Sequence, residues 1–123
     1  MNNTIPITLE EAHQQLLTKL SVEDLNFIDN SIQEAMSSFH FSLGRWIRNN
    51  WKLWEGGELK THMESLGFTH PDDMSAVILD TFWCSRHSNP FNLEQRAKYY
   101  ADFWAESDGH KYGVNYTNDE CGA

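Results

Sequence analysis

The chain has 123 residues, 18 Asp and Glu against nine Lys and Arg, and a formal charge of −9. Its 40% hydrophobic content, with five Trp and seven Phe, suffices for one packed domain of this length and excludes a wholly disordered chain. The acidic balance speaks against generic nucleic-acid binding, which depends on phosphate neutralisation, and no apolar run approaches the roughly 20 residues of a membrane span.

Helical periodicity dominates from the start. Thr8 with Glu11 has capping-box spacing, and Leu9, Ala12, Leu16, Leu17 and Leu20 then share one face. Ser21 with Asp24 repeats the device and opens a second helix, whose stripe is Leu25, Ile28, Ile32, Ala35, Met36 and Phe39. The short connection predicts that these two helices lie antiparallel against each other.

A third helix is expected from Phe39 to Trp54, with Gly44 inside it. Leu43, Trp46, Ile47, Asn50, Trp51 and Trp54 fall on one face, with Arg45, Arg48 and Lys52 on an opposite, solvated one. That opposition argues against stacking of single-stranded nucleic acid between Trp and Arg. Asn50, on the apolar face, is expected to hydrogen-bond backbone near a helix end. Glu55-Gly56-Gly57 closes this helix, and a short helix with Leu59, Met63 and Leu66 ends at Gly67 in the C′ role.

His70-Pro71-Asp72-Asp73 is a clear helix start, with Pro in the first position and two acids at the positive end of the dipole. The helix to about Arg86 is apolar on two sides (Met74, Val77, Ile78 and Phe82; Ala76, Leu79 and Trp83), which predicts a central, buried element. A last helix comes next, with Asn92 as cap and Leu93, Ala97, Tyr100, Ala101 and Trp104 facing inward. From Ser107 the pattern stops. The expected architecture is all-α, a single bundle of five to six helices over residues 1–106 with a flexible tail over 107–123.

The two cysteines, Cys84 and Cys121, make no disulfide framework and read as one buried and one exposed free thiol. With an N-terminus that lacks the basic and apolar runs of a secretory signal, this points to the cytoplasm. The six histidines show no second pair at zinc spacing beside Cys84 and His87, so no metal and no cofactor is expected. His13 reads as a satisfied core-edge residue. Asp72 and Asp73, adjacent on a helix, point about 100° apart and so do not form a catalytic pair.

Two stretches carry a resemblance. Residues 41–54, Phe41-Ser42-Leu43-Gly44-Arg45-Trp46-Ile47-Arg48-Asn49-Asn50-Trp51-Lys52-Leu53-Trp54, and residues 70–79, with His70-Pro71-Asp72-Asp73-Met74-Ser75 and Ile78-Leu79, resemble a small bacterial domain family of unknown function with an LGxWIRNNWxLW … HPDDMSxxIL signature. The resemblance covers roughly residues 9–86 and implies a bacterial origin without a mechanism. The acidic N-terminal pair and the extension after Arg86 stand out as departures from it.

Charge is uneven along the chain. Residues 1–44 carry Glu10, Glu11, Glu23, Asp24, Asp29 and Glu34 against Lys19 alone. An acidic surface of that kind suits a basic partner and speeds its arrival. The expected function is therefore non-enzymatic: a stoichiometric inhibitor of the immunity-protein or antitoxin class that neutralises a basic toxin. Its partner-binding residues would be Glu23, Asp24, Asp29 and Glu34, with Tyr99 and Phe103 as aromatic anchors. The alternatives are an adaptor using the Ala76/Leu79/Trp83 face, or a small-ligand or enzymatic site built from Arg48, Asn49, Asn50, His70 and Asp72.

Overall fold

The computed structural model describes residues 4–107; the region expected as a tail, from 108 on, lies outside the described residues, and Ser107 closes the last helix. Among the described residues, six α-helices make up the fold: α1 (Leu9–Lys19), α2 (Val22–Asp29), α3 (Arg45–Asn50), α4 (Glu58–Ser65), α5 (Pro71–Arg86) and α6 (Leu93–Ser107). A 3₁₀ segment (Gln33–Phe39) and a π turn (His40–Gly44) join α2 to α3. The fold is all-α, with no strand among the described residues.

α5 is the axis of the molecule. His70 caps it, its Nδ1 accepting from the Asp72 N–H at 3.0 Å, and Pro71 occupies the first turn, where a missing N–H costs nothing. Met74, Val77, Ile78, Leu79, Phe82 and Cys84 are each almost fully buried. Burial of one such large side chain contributes about 1.5–3 kcal/mol. α1, α2, α3, α4, the 3₁₀ segment and the π turn all pack on it. The Ala76/Leu79/Trp83 face is buried in this packing, which removes the adaptor surface expected there.

The caps of α1 and α2 are those the sequence announces. Thr8 Oγ1 accepts from the Glu11 N–H at 3.1 Å and Ser21 Oγ from the Asp24 N–H at 3.0 Å. Their packing differs from expectation. Each helix lies on α5 instead of on the other as an antiparallel pair, because Leu20 and Ser21 are both extended and carry the chain away from α1.

The second helix is also shorter than its apolar stripe suggests, ending at Asp29. Side chains at the C-terminal end of α5 meet carbonyls there: Trp83 Nε1 donates to Ser31 O, just past α2, at 3.0 Å, and Nε2 of His87, the residue after α5, lies 3.0 Å from Ile28 O. Arg86 holds Asp29 with two bonds, Nε to Oδ1 at 2.8 Å and Nη2 to Oδ2 at 2.7 Å. The third helix is likewise cut short at Asn50, because Lys52 turns left-handed with φ 62°. α4 ends as expected at Gly67 (φ 105°), where the Phe68 N–H reaches Met63 O and the Gly67 N–H reaches Glu64 O. Gly67 serves packing too, since a Cβ there would come within 2.7 Å of Ala97 Cβ on α6.

α6 docks through side chains. Tyr100 meets Phe68 edge to face at 6.1 Å, and the Trp104 indole N–H donates to Asp73 Oδ2 at 2.8 Å. Ala101, expected inward, is exposed, and the expected cap Asn92 takes a left-handed φ of 53° with its carbonyl accepting from the Arg96 N–H. Among the described residues, no helix is long and apolar enough to cross a membrane.

Candidate functional site

The two motif stretches meet at the N-terminal end of α5. Arg48, expected on a solvated face, is instead buried, and its Nη1 donates to Ser75 Oγ at 2.8 Å while Nε lies 3.3 Å from Asp72 Oδ1. The π turn explains the departure from helical bookkeeping: one inserted residue rotates α3 relative to the chain that precedes the turn. Gly44 completes the arrangement. A Cβ at that position would stand 3.2 Å from Arg48 Nη1 and 3.7 Å from Leu79 Cδ1, so a larger residue there would press the guanidinium by a few tenths of an ångström.

The Arg48 charge acts on His40, and Asp72 links Arg48 to His70, whose Nδ1 lies 3.9 Å from Asp72 Oδ2. The His70 ring is stacked on Trp104 at 5.1 Å and 15° and meets Trp54 edge to face at 5.8 Å. Burial and the Arg48 cation hold His40 below the usual imidazole range, against an opposing pull from Asp72. Asp73 points away from Asp72, as adjacent helix residues must. Burial raises its carboxyl above the ordinary carboxylate range, with the Trp104 hydrogen bond and His70 opposing. Of the expected ligand set, Arg48, His70 and Asp72 converge. Asn49 and Asn50 do not; both are exposed, and Asn50 Nδ2 is committed to Trp46 O at 2.9 Å near the end of α3.

Sequence reasoning missed Arg96. It is buried on α6, with Nε donating to Phe91 O at 2.6 Å, Nη2 to Gln33 Oε1 at 3.0 Å, and Nη1 3.7 Å from Asp80 Oδ2. Its Nη2 also lies 3.5 Å from Cys84 Sγ. The free-thiol reading of Cys84 is corrected: Cys84 is disulfide-bonded, and Cys121 lies outside the described residues. His13 is satisfied as expected, its Nε2 2.8 Å from Thr81 Oγ1, and burial pushes its pKa down to about 4.

The expected partner-binding residues divide. Glu23 and Glu34 are exposed and Asp24 is half-buried at the start of α2. Asp29 is occupied by Arg86, which holds its carboxyl below the usual range. Tyr99 is half-buried against the core, and Phe103 is half-buried with its ring edge on Trp104 at 5.0 Å. The large apolar side chains exposed among the described residues are Ile7, Leu17, Val22, Phe27, Ile32, Phe41, Trp54 and Trp104, and five of these eight fall between positions 17 and 41. Phe27 is backed by Phe39, ring to ring at 5.9 Å.

Residues 5–86 match the family described as Domain of unknown function (DUF6794). The chain belongs to that family. The match begins before α1, so the acidic N-terminal helices are part of the family domain and not a departure from it, whereas α6 lies beyond the match. No curated protein and no solved structure matches the chain.

Proposed function

We propose that this member of the family is a protein-binding inhibitor of the immunity-protein or antitoxin class, acting without catalysis by covering a basic toxin. The observation that carries the reading is the coincidence of exposed apolar side chains with the acidic segment. Phe27 and Ile32 are 46% and 64% exposed, and Glu23 lies one helical turn before Phe27 on the same face of α2. An apolar anchor rimmed by charge is the arrangement that gives binding energy at the centre and faster encounter at the edge. Asp29 belongs to the fold through Arg86 and drops out of the interface, and Phe27 replaces Tyr99 and Phe103 as anchor.

The test is capture of a partner from cells that encode the chain, followed by calorimetry and stopped-flow association with both proteins purified. A basic protein bound one to one, and inhibited when bound, is the expected result. Phe27→Ala should weaken the complex by about 30-fold or more, as for a central anchor. Glu23→Lys with Asp24→Asn should slow association and flatten its salt dependence. An acidic partner, or a complex indifferent to both changes, would sink the assignment.

A further inference from the structure

Arg48 and Arg96 are both nine-tenths buried or more, yet only one is saturated. Every nitrogen of the Arg96 guanidinium has a protein partner. On Arg48, Nη1 is committed to Ser75, Nε pairs with Asp72 at 3.3 Å as Arg96 Nη1 pairs with Asp80 at 3.7 Å, and Nη2 has no acceptor among the described residues. Buried donors are almost always satisfied, and a guanidinium has five N–H groups to place. Asp72, the group over the remaining edge, is half exposed and so is free to swing into solvent.

The surroundings match an oxyanion carried on a flat ring. The His70 Nδ1 is occupied by the Asp72 N–H, which leaves Nε2 with no partner among the described residues. Trp54 is 55% exposed beside that ring, and Trp104, stacked on it, is held by Asp73. The cation sits at the positive end of a 16-residue helix. Trp54, edge to face with His70 and more than half exposed, presents aromatic surface to solvent beside the cluster, and a flat ring can stack on such a surface.

We infer that the Arg48 cluster is a binding site for a small molecule bearing a phosphoryl or carboxylate oxyanion on a planar ring. The anion displaces the Asp72 carboxylate from the open edge of Arg48, and the ring lies on Trp54. The site is independent of the acidic face on α2. Nothing in the proposal requires a bond to form or break.

Adenosine monophosphate and nicotinate, with adenosine and nicotinamide as their uncharged counterparts, are the probes for titration followed by calorimetry and by Trp fluorescence. Saturable binding of at least one anionic probe at millimolar concentration or below, and none of its neutral counterpart, is expected. Asp72→Asn removes a competing charge from the half-exposed surface and should tighten binding about fivefold, the size of one contact charge in water. Trp54→Ala should weaken it about tenfold. Circular dichroism and the unfolding midpoint of each variant, measured beside its binding, will separate loss of binding from loss of fold, since Asp72 also pairs with a buried cation. Absence of saturable binding to both the native chain and Asp72→Asn would overturn the inference, as would equal binding of the neutral probes.

Discussion

The two buried arginines are alike in chemistry and opposite in situation. Arg96 joins α6 to the 3₁₀ segment and to the middle of α5, with its partners behind it in the protein; its side chain is 4% exposed and Asp80 opposite is 19% exposed. Arg48 stands at 10% exposure, facing an Asp72 that is half in solvent. A guanidinium sealed by acceptors is a structural rivet. One held by a single hydroxyl and loosely covered by a surface carboxylate is a structural group with an unused recognition edge.

Replacing each arginine by Met, which keeps much of the volume, puts that contrast to the test. Arg96→Met should be the more damaging, at about 3–5 kcal/mol, because it removes the cation from a buried pair and takes the donor from the Phe91 carbonyl. Arg48→Met should cost about 1–2 kcal/mol, since Asp72 returns to water and only Ser75 loses a buried donor. Urea unfolding of the two variants measures both. Equal losses would erase the distinction between a saturated and an open arginine.

A smaller effect sharpens the same comparison through pH. His13 and His40 both have folded-state pKa values below the unfolded value of about 6.5, so protons bind the unfolded chain more readily. The stability they contribute is complete above that value and is lost as pH falls through it, for His13 down to about 4. Asp73, raised by burial, works in the opposite sense and softens the loss at the acid end. Arg48→Met should raise the His40 midpoint toward the ordinary imidazole value while leaving His13 in place. An NMR titration of the two rings reads this directly, and an unmoved His40 would show that the Arg48 charge does not reach it.

Much of the framework was legible from local signals. Thr8, Ser21, Pro71 and Gly67 act on their own backbone neighbours, so their roles follow from sequence spacing. The all-round apolar character of residues 71–86 marked α5 as the buried axis for the same reason. Helix ends were less legible where distant residues set them. Nothing near Asp29 in sequence announces Arg86, and nothing near Ser31 announces Trp83.

The candidate site was half legible. His70 and Asp72 stand together in any helix that starts at Pro71, and the sequence pairs them with Arg48 only as motif neighbours. Periodicity counted through residues 39–54 put Arg48 in solvent and Asn50 inside, and the π turn at His40–Gly44 reversed both. Arg96 gave no sign at all, because its acceptors come from Phe91, Gln33 and Asp80 on three different parts of the chain.

By itself, then, the sequence determined that this chain is helical, where most of its helices begin, and which one lies at the centre. These follow from caps, proline and apolar spacing, whose ranges are one helical turn. The tertiary structure alone decided that α1 and α2 lean on α5, that Asp29 serves the fold, and that one arginine is sealed while another keeps an edge open. Those outcomes depend on where acceptors distant in sequence come to rest, as with Arg48 and Ser75 or Arg96 and Gln33, and a buried charge takes whatever partners packing brings to it.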